Sequence, residues 1–85
     1  MNEHSSRLLE RIFNAIDDFL VDKIDSLYLF NIVEGNVNAM EENGPKVMLE
    51  HFLVVINDSI YLYDEGEGKK YLKTEYEKLK IELHH

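Results

Sequence analysis

Apolar side chains within residues 6–21 recur at the spacing of a single helix face. The residues that form this stripe are Leu8, Leu9, Ile12, Phe13, Ile16, Phe19 and Leu20. Positions three and four apart share one face of an α-helix, so the pattern predicts an amphipathic helix here. Ser5 or Ser6 is the expected N-cap, because a serine hydroxyl can accept a hydrogen bond from a free backbone N–H.

A second helix is expected from residue 27 onward. Its apolar positions again follow helical spacing, and they are Leu29, Phe30, Val33, Val37 and Met40. Asp25 or Ser26 is the expected N-cap, although no Gly or Pro separates this helix from the first and one continuous helix is also allowed. Gly35 lies inside the second helix. We expect it to mark a close helix crossing, because a missing side chain lets two backbones approach.

The segment 43–45 predicts the boundary between the second and third helices. Gly44 suits a helix C-cap, and Pro45 suits the first position of the helix that follows. Residues 46–64 then allow a helix with one apolar stripe, formed by Leu49, Phe52, Leu53, Ile56, Ile60 and Tyr63. Such a helix would be buried on more than one side, because four apolar residues lie off the stripe: Val54, Val55, Tyr61 and Leu62.

The same segment also carries a β-hairpin signal at residues 51–63. Two apolar runs, 52–56 and 60–63, flank a turn-like Asn-Asp-Ser tripeptide. The helix is favoured, because Pro45 is well placed to start one. An isolated two-stranded hairpin is in addition a poor packing partner in so small a chain.

Residues 64–68 predict a loop, because they hold two glycines and three acids. A last helix is expected over residues 69–83. Its apolar positions are spaced by four, three and four residues, at Leu72, Tyr76, Leu79 and Leu83. The expected fold is all-α, a small four-helix bundle in a single domain of residues 1–85. The alternative is an α+β fold with a hairpin at residues 51–63.

The charge of the chain is strongly acidic. Seventeen Asp and Glu residues against nine Lys and Arg give a net charge of −8. The excess lies within residues 1–64, because residues 65–85 hold five lysines and five glutamates. Such a chain is a poor ligand for nucleic-acid phosphates or an anionic membrane surface, since like charges repel. The charge favours a basic protein partner.

Acidic residues are the candidate partner-binding residues, taken as a patch. They are Asp17, Asp18, Asp22, Asp25, Glu34, Glu41 and Glu42. The cluster within residues 17–25 follows the first helix, and acids near a helix C-terminus oppose the macrodipole. That unfavourable placement points to a function. The alternative interpretation is a solvated face that also supplies the N-cap of the second helix.

Signatures of catalysis and metal binding are missing from the sequence. The absence of cysteine excludes disulfides, thiolate zinc sites and cysteine nucleophiles, and it fits a reducing compartment. The four glycines match no phosphate-binding loop. The four histidines have no ligand spacing along one helix, and His84 and His85 are given no role. We therefore expect a protein that is not an enzyme and uses no cofactor or metal.

Targeting signals are missing as well. Residues 1–14 lack an apolar core behind a basic start, so no signal peptide is expected. No run of 18 apolar residues predicts a membrane span. The expected location is cytoplasmic.

Two segments resemble small bacterial immunity proteins. They are Lys23-Ile24-Asp25-Ser26 and Glu34-Gly35-Asn36-Val37-Asn38-Ala39-Met40-Glu41. In that family, a short helix is followed by a linker of the form gKIs and by a helix containing EG-x-x-x-A-hydrophobic-E. The resemblance covers residues 16–64. It implies an acidic helical protein that neutralises a nuclease toxin, of the colicin or contact-dependent-inhibition kind, by covering a basic active site with carboxylates.

These observations together predict a protein-binding inhibitor, an immunity protein that binds a basic nuclease toxin by charge complementarity. Two other functions would use the same features. A structural or regulatory helical protein would self-associate through its apolar stripe as a homodimer. A nucleic-acid mimic would present its carboxylates to a DNA-binding protein.

Overall fold

Four helices account for most of the chain. The computed structural model describes residues 1–83; His84 and His85 lie outside the described residues. The helices are α1 (Glu3–Leu20), α2 (Ser26–Ala39), α3 (Asn43–Tyr61) and α4 (Glu65–Leu83). This confirms the predicted all-α four-helix bundle. None of these described helices is both long and apolar enough to cross a membrane.

The hairpin alternative is wrong, because α3 continues unbroken to Tyr61 and the described residues contain no strand. The turn-like tripeptide is accommodated inside the helix. Ser59, its last residue, is buried, and its hydroxyl donates to the backbone oxygen of Ile56 at 2.7 Å. The side chain that favoured a turn is therefore satisfied by the preceding turn of α3.

All four helices contribute to one apolar core. The α1 stripe is buried from Leu8 to Ile16, while Phe19 and Leu20 are half-buried at its end. The other helices bury Leu29, Val33, Val37, Leu49, Phe52, Ile56, Leu72, Tyr76 and Leu79, and Met40 in the connection after α2 is buried with them. Each helix thus buries one apolar face, and this burial is the main force that stabilises so small a chain.

Short connections make the successive helices antiparallel neighbours. Residues 21–25 join α1 to α2, residues 40–42 join α2 to α3, and residues 62–64 join α3 to α4. Aromatic side chains link the first helix to the last. The rings of Phe13 and Tyr76 meet edge to face, with centroids 5.4 Å apart.

The helix starts differ from expectation at α1 and agree at α2. The N-cap of α1 is Asn2, not a serine, and its side-chain oxygen accepts from the backbone N–H of Ser5 at 2.8 Å. The helix begins earlier than predicted because Asn2 caps it as well as a serine could. Asp25 caps α2 as predicted, accepting from the backbone N–H of Tyr28 at 2.8 Å.

The start of α3 lies two residues before Pro45. Gly44 therefore belongs to the first turn of α3, and its predicted role as a C-cap of α2 is wrong. Pro45 is the third residue of α3, so its predicted place as the first is wrong. Proline is tolerated at the third position because the first N–H groups of a helix have no partner within it.

The predicted loop at residues 64–68 is wrong for 65–68, which are the first turn of α4; the connection lies at residues 62–64. The side-chain oxygen of Asp64 accepts from the backbone N–H of Glu67 at 2.9 Å. Asp64 is therefore the N-cap of α4. The negative charges of Glu65 and Glu67 in the first turn stabilise the helix, because its N-terminus carries a partial positive charge. The acids read as loop residues instead start the last helix.

Glycine does allow a close helix approach, but at Gly68 and not at Gly35. Gly35 is exposed, and a Cβ there would meet nothing within 4 Å. A Cβ on Gly68 would overlap the backbone oxygen of Ser59 and lie 3.2 Å from the carbonyl carbon. The start of α4 therefore rests directly on the backbone of α3, and the prediction for Gly35 is wrong.

Candidate functional site

Two of the three connections lie at the same end of the bundle. We refer to residues 17–28 and 57–70, which surround them, as the two-loop end. The ammonium of Lys69 on α4 pairs with the carboxylate of Asp22, and this ion pair joins the two segments of the two-loop end directly. At the opposite end, the backbone N–H of Asn2 donates to the carboxylate of Glu42.

An open cleft of about 520 Å³ enters the bundle at the two-loop end. Its apolar lining comes from one residue on α1, one in the first connection and one on α3: Phe19, Ile24 and Ile60. Three carboxylates, those of Asp22, Asp25 and Glu65, also line it. Two lysines, Lys23 and Lys69, line it as well, so the carboxylates exceed the ammonium groups by one. The cleft thus combines apolar walls with an excess of negative charge, a combination that suits a group carrying both hydrocarbon and positive charge.

Exposed apolar side chains concentrate around this end. Six of the ten large apolar side chains described as exposed belong to it: Val21, Leu27, Tyr28, Tyr61, Leu62 and Tyr63. Three lie near the opposite end, and Val54 stands alone midway along α3. A concentration of exposed apolar groups among polar ones is typical of a protein-contact surface.

This distribution corrects one expectation about α3. Val54, Tyr61 and Leu62 are exposed by 58%, 76% and 71%, so the helix is not buried on more than one side. Three of the four apolar residues off the stripe thus face solvent, and the fourth, Val55, is half-buried against the core. The three exposed residues were the signal in the sequence that an exposed apolar surface was present.

The negative charge of the chain is also concentrated at the two-loop end. Its two segments contain eight carboxylates and three lysines, a net charge of −5 out of the total of −8. Asp64, Glu65 and Glu67 join the acids of the first connection, although they lie far away in sequence. The most acidic part of the molecule is therefore also the part that exposes most apolar surface.

The seven candidate acids do not share one surface. Asp17, Asp18, Asp22 and Asp25 lie at the two-loop end, and Glu34 is exposed within α2. Glu41 and Glu42 follow α2 at the other end. The 14 residues of α2 separate these two from Asp25 by about 21 Å.

Four of these acids have contacts within the fold: Asp17, Asp22, Asp25 and Glu42. Asp25 caps α2, which agrees with the alternative interpretation of the acidic cluster, and Glu42 accepts from Asn2. Asp17 lies beside the hydroxyl of Tyr76. Burial raises the pKa of that hydroxyl most, and the adjacent carboxylate of Asp17 raises it further.

Asp22 has both a backbone role and a side-chain role. Its φ of 62° lies in the left-handed region that glycine usually occupies. Its N–H donates to the oxygen of Phe19 at 3.1 Å, and the N–H of Lys23 donates to the oxygen of Asp18 at 2.8 Å. These two bonds form the Schellman motif that ends α1. The aspartate in place of glycine adds a carboxylate that reaches Lys69.

Lys69 was not a candidate residue, yet it is central to the cleft. Its side chain is only 23% exposed, and its ammonium lies 5.2 Å from the centroid of the Phe19 ring. The balanced charge of residues 65–85 gave no reason to single it out. The contact with Asp22 joins residues 47 apart in sequence, which spacing rules do not detect.

Metal-ligating residues do not converge anywhere in residues 1–83. No group of three His, Asp or Glu side chains there is placed to hold a metal ion.

Comparison with known proteins identifies no relative. No family model, no curated protein and no solved structure matches the chain.

Proposed function

We propose that this protein is an inhibitor that binds a basic protein partner with its two-loop end. The partner proposed is a nuclease toxin, and the protein would then act as its immunity protein. The observation that carries the proposal is the coincidence of a −5 charge with six exposed apolar side chains at one end of the bundle. Charge attracts and orients a basic partner, while apolar contact stabilises the complex.

A basic partner fits this surface better than a second copy of the chain. A two-fold dimer through the two-loop end would bring the same patch of both subunits together. Such a dimer would place two surfaces, each of net charge −5, against each other. Like charges facing each other across an interface cost several kcal/mol, on the order of what a small apolar patch contributes.

Tyrosine at this end supports a protein partner in particular. Tyr28, Tyr61 and Tyr63 are exposed by 56%, 76% and 44%. Tyrosine offers a large contact area with few rotatable bonds, so ordering it on binding costs little entropy.

The proposal is tested by affinity capture with matched variants. The first variant carries Asp18→Asn, Asp25→Asn and Glu65→Gln at the two-loop end, and the asparagine at 25 preserves the N-cap. The control carries Glu34→Gln, Glu41→Gln and Glu50→Gln, three exposed carboxylates outside that end. Each variant removes three negative charges.

We expect the wild-type chain and the control to retain a partner that is strongly basic, and the first variant to lose it. The purified partner should show nuclease activity that the wild-type chain inhibits in a salt-dependent way. Capture of the same partner by all three proteins would contradict the proposed surface. An identified partner that is acidic, or that has no nuclease activity, would contradict the partner class.

A further inference from the structure

A cation already occupies the cleft, and it belongs to the chain itself. The ammonium of Lys69 lies over the ring of Phe19 and pairs with the carboxylate of Asp22. The aromatic face of Phe19 and the carboxylate of Asp22 together form a binding site for positive charge, which we call the seat. The Lys69 side chain is 23% exposed, whereas its partner Asp22 is 75% exposed, so the seat is open on the side of the carboxylate.

The position of Lys69 follows from the contact that precedes it. Gly68 is buried against the backbone of Ser59, which fixes the start of α4 close to α3. The base of the Lys69 side chain is held by this contact. Its tip is held only by an exposed ion pair and a ring contact, and such pairs are weak in water. The ammonium can therefore leave the seat without disturbing the backbone that places it.

The cleft is larger than one lysine tip requires. Its volume of about 520 Å³ lies within the range of small-molecule sites. Two further carboxylates, those of Asp25 and Glu65, line it, together with the apolar side chains of Ile24 and Ile60. One oxygen of Asp25 accepts from the backbone of Tyr28, and its charge remains available to a cation.

We infer that the cleft receives an arginine side chain of the protein partner, which replaces the Lys69 ammonium on Phe19 and Asp22. The inference rests on the proposed function and specifies the group that the partner presents. A guanidinium suits the seat better than an ammonium, because it is planar, stacks on aromatic rings and is more weakly hydrated. Lys23 also lines the cleft, but no ion pair among residues 1–83 joins it to Asp25 or Glu65. These two carboxylates therefore supply counter-charges that Lys69 does not use.

The seat can be tested without the partner, by NMR of the 85-residue chain. The probe is N-acetyl-arginine N-methylamide, and its control is the citrulline analogue, which has the same shape without the charge. We expect the arginine probe to cause saturable shifts at amides of the cleft, such as those of Ile24 and Ser26. The citrulline probe should cause none.

Substitutions at the cleft sharpen the test. Lys69→Met removes the internal competitor and should tighten binding of the arginine probe by about two- to fivefold, the value of an exposed cation–π contact. Glu65→Gln should weaken it, and Glu34→Gln, far from the cleft, should not change it. Equal shifts with citrulline, shifts scattered over exposed carboxylates elsewhere, or weaker binding to Lys69→Met would overturn the inference.

The inference and the proposed function fail separately. A basic partner captured equally well by the wild-type chain and by Glu65→Gln, with no arginine binding in the cleft, would overturn the inference alone. Specific arginine binding in the cleft without any basic protein partner would support the seat and remove the proposed function.

Discussion

The hydroxyl of Tyr76 on α4 donates a hydrogen bond to the backbone oxygen of Phe13 on α1, 3.2 Å away, and the rings of the two residues meet edge to face. This pair links the first and last helices within the core. The bundle is therefore closed by a polar contact as well as by apolar burial.

Removal of this hydroxyl should weaken the closure without changing the fold. Tyr76→Phe keeps the ring contact and loses the hydrogen bond, so we expect the free energy of unfolding to fall by about 0.5–1.5 kcal/mol. Urea unfolding measures the difference. The control is Tyr63→Phe, which removes a hydroxyl from a 44% exposed ring and should change stability by less than about 0.5 kcal/mol. Equal effects of the two substitutions would contradict the role of Tyr76.

The same tyrosine should make the protein sensitive to alkaline pH. Its pKa is raised in the folded state by burial first and then by Asp17. Above the unfolded pKa of about 10, the unfolded chain releases this proton while the folded chain keeps it. The stabilisation is complete below that pH and declines as the pH rises further.

Unfolding measured from about pH 8 to pH 11 should therefore show a decline that is steeper in the wild type than in Tyr76→Phe. The pKa of Tyr71 is also raised, by desolvation and then by Glu75, but Tyr71 is present in both proteins. The difference between the two curves thus isolates Tyr76. Parallel curves would show that its pKa is the same in the folded and unfolded states.

Two glycines should respond to alanine with opposite signs. Gly68→Ala places a Cβ against the backbone oxygen of Ser59, and α4 must move away from α3, at a cost of about 1–3 kcal/mol. Gly35→Ala fills open space on an exposed helix and should stabilise the protein by about 0.5–1 kcal/mol. Thermal unfolding of both variants provides the check. A stabilising Gly68→Ala would mean that the close approach of α3 and α4 is absent.

The cap and the charge of Asp25 can be separated. Asp25→Ala loses the bond to the Tyr28 N–H and should cost about 0.5–2 kcal/mol. Asp25→Asn keeps an accepting oxygen and should remain close to the wild type in stability. Circular dichroism during urea unfolding gives both values. A loss from Asp25→Asn as large as that from Asp25→Ala would assign the effect to charge and not to capping.

The number and type of the helices could be predicted from the sequence because apolar spacing reports burial directly. Leu8 to Ile16 form a periodic stripe, and they are the buried face of α1. The boundaries could not be placed as well. Asp64 to Gly68 have the composition of a loop, yet a side-chain cap and a glycine pressed against Ser59 make most of them helical. That contact is tertiary, and local propensity contains no information about it.

The candidate site was only partly predictable for the same reason. The acids of residues 17–25 could be identified because they cluster in the sequence. Lys69 could not, because it meets Asp22, 47 residues away, only when the helices pack antiparallel. Tyr61 and Leu62 were assigned to the interior because hydrophobicity was taken as a sign of burial. Hydrophobic residues also make up a large part of protein surfaces, so this assignment fails at an exposed helix end.

The alternating direction of the helices has a practical consequence for binding measurements. The start of α1 lies opposite the cleft, and the 18 residues of that helix span about 27 Å. A fluorophore or biotin attached at Met1 would thus sit remote from Lys69 and its neighbours. A chain immobilised through its first residue would present the cleft outward in every copy, and a binding partner would meet a uniformly oriented layer.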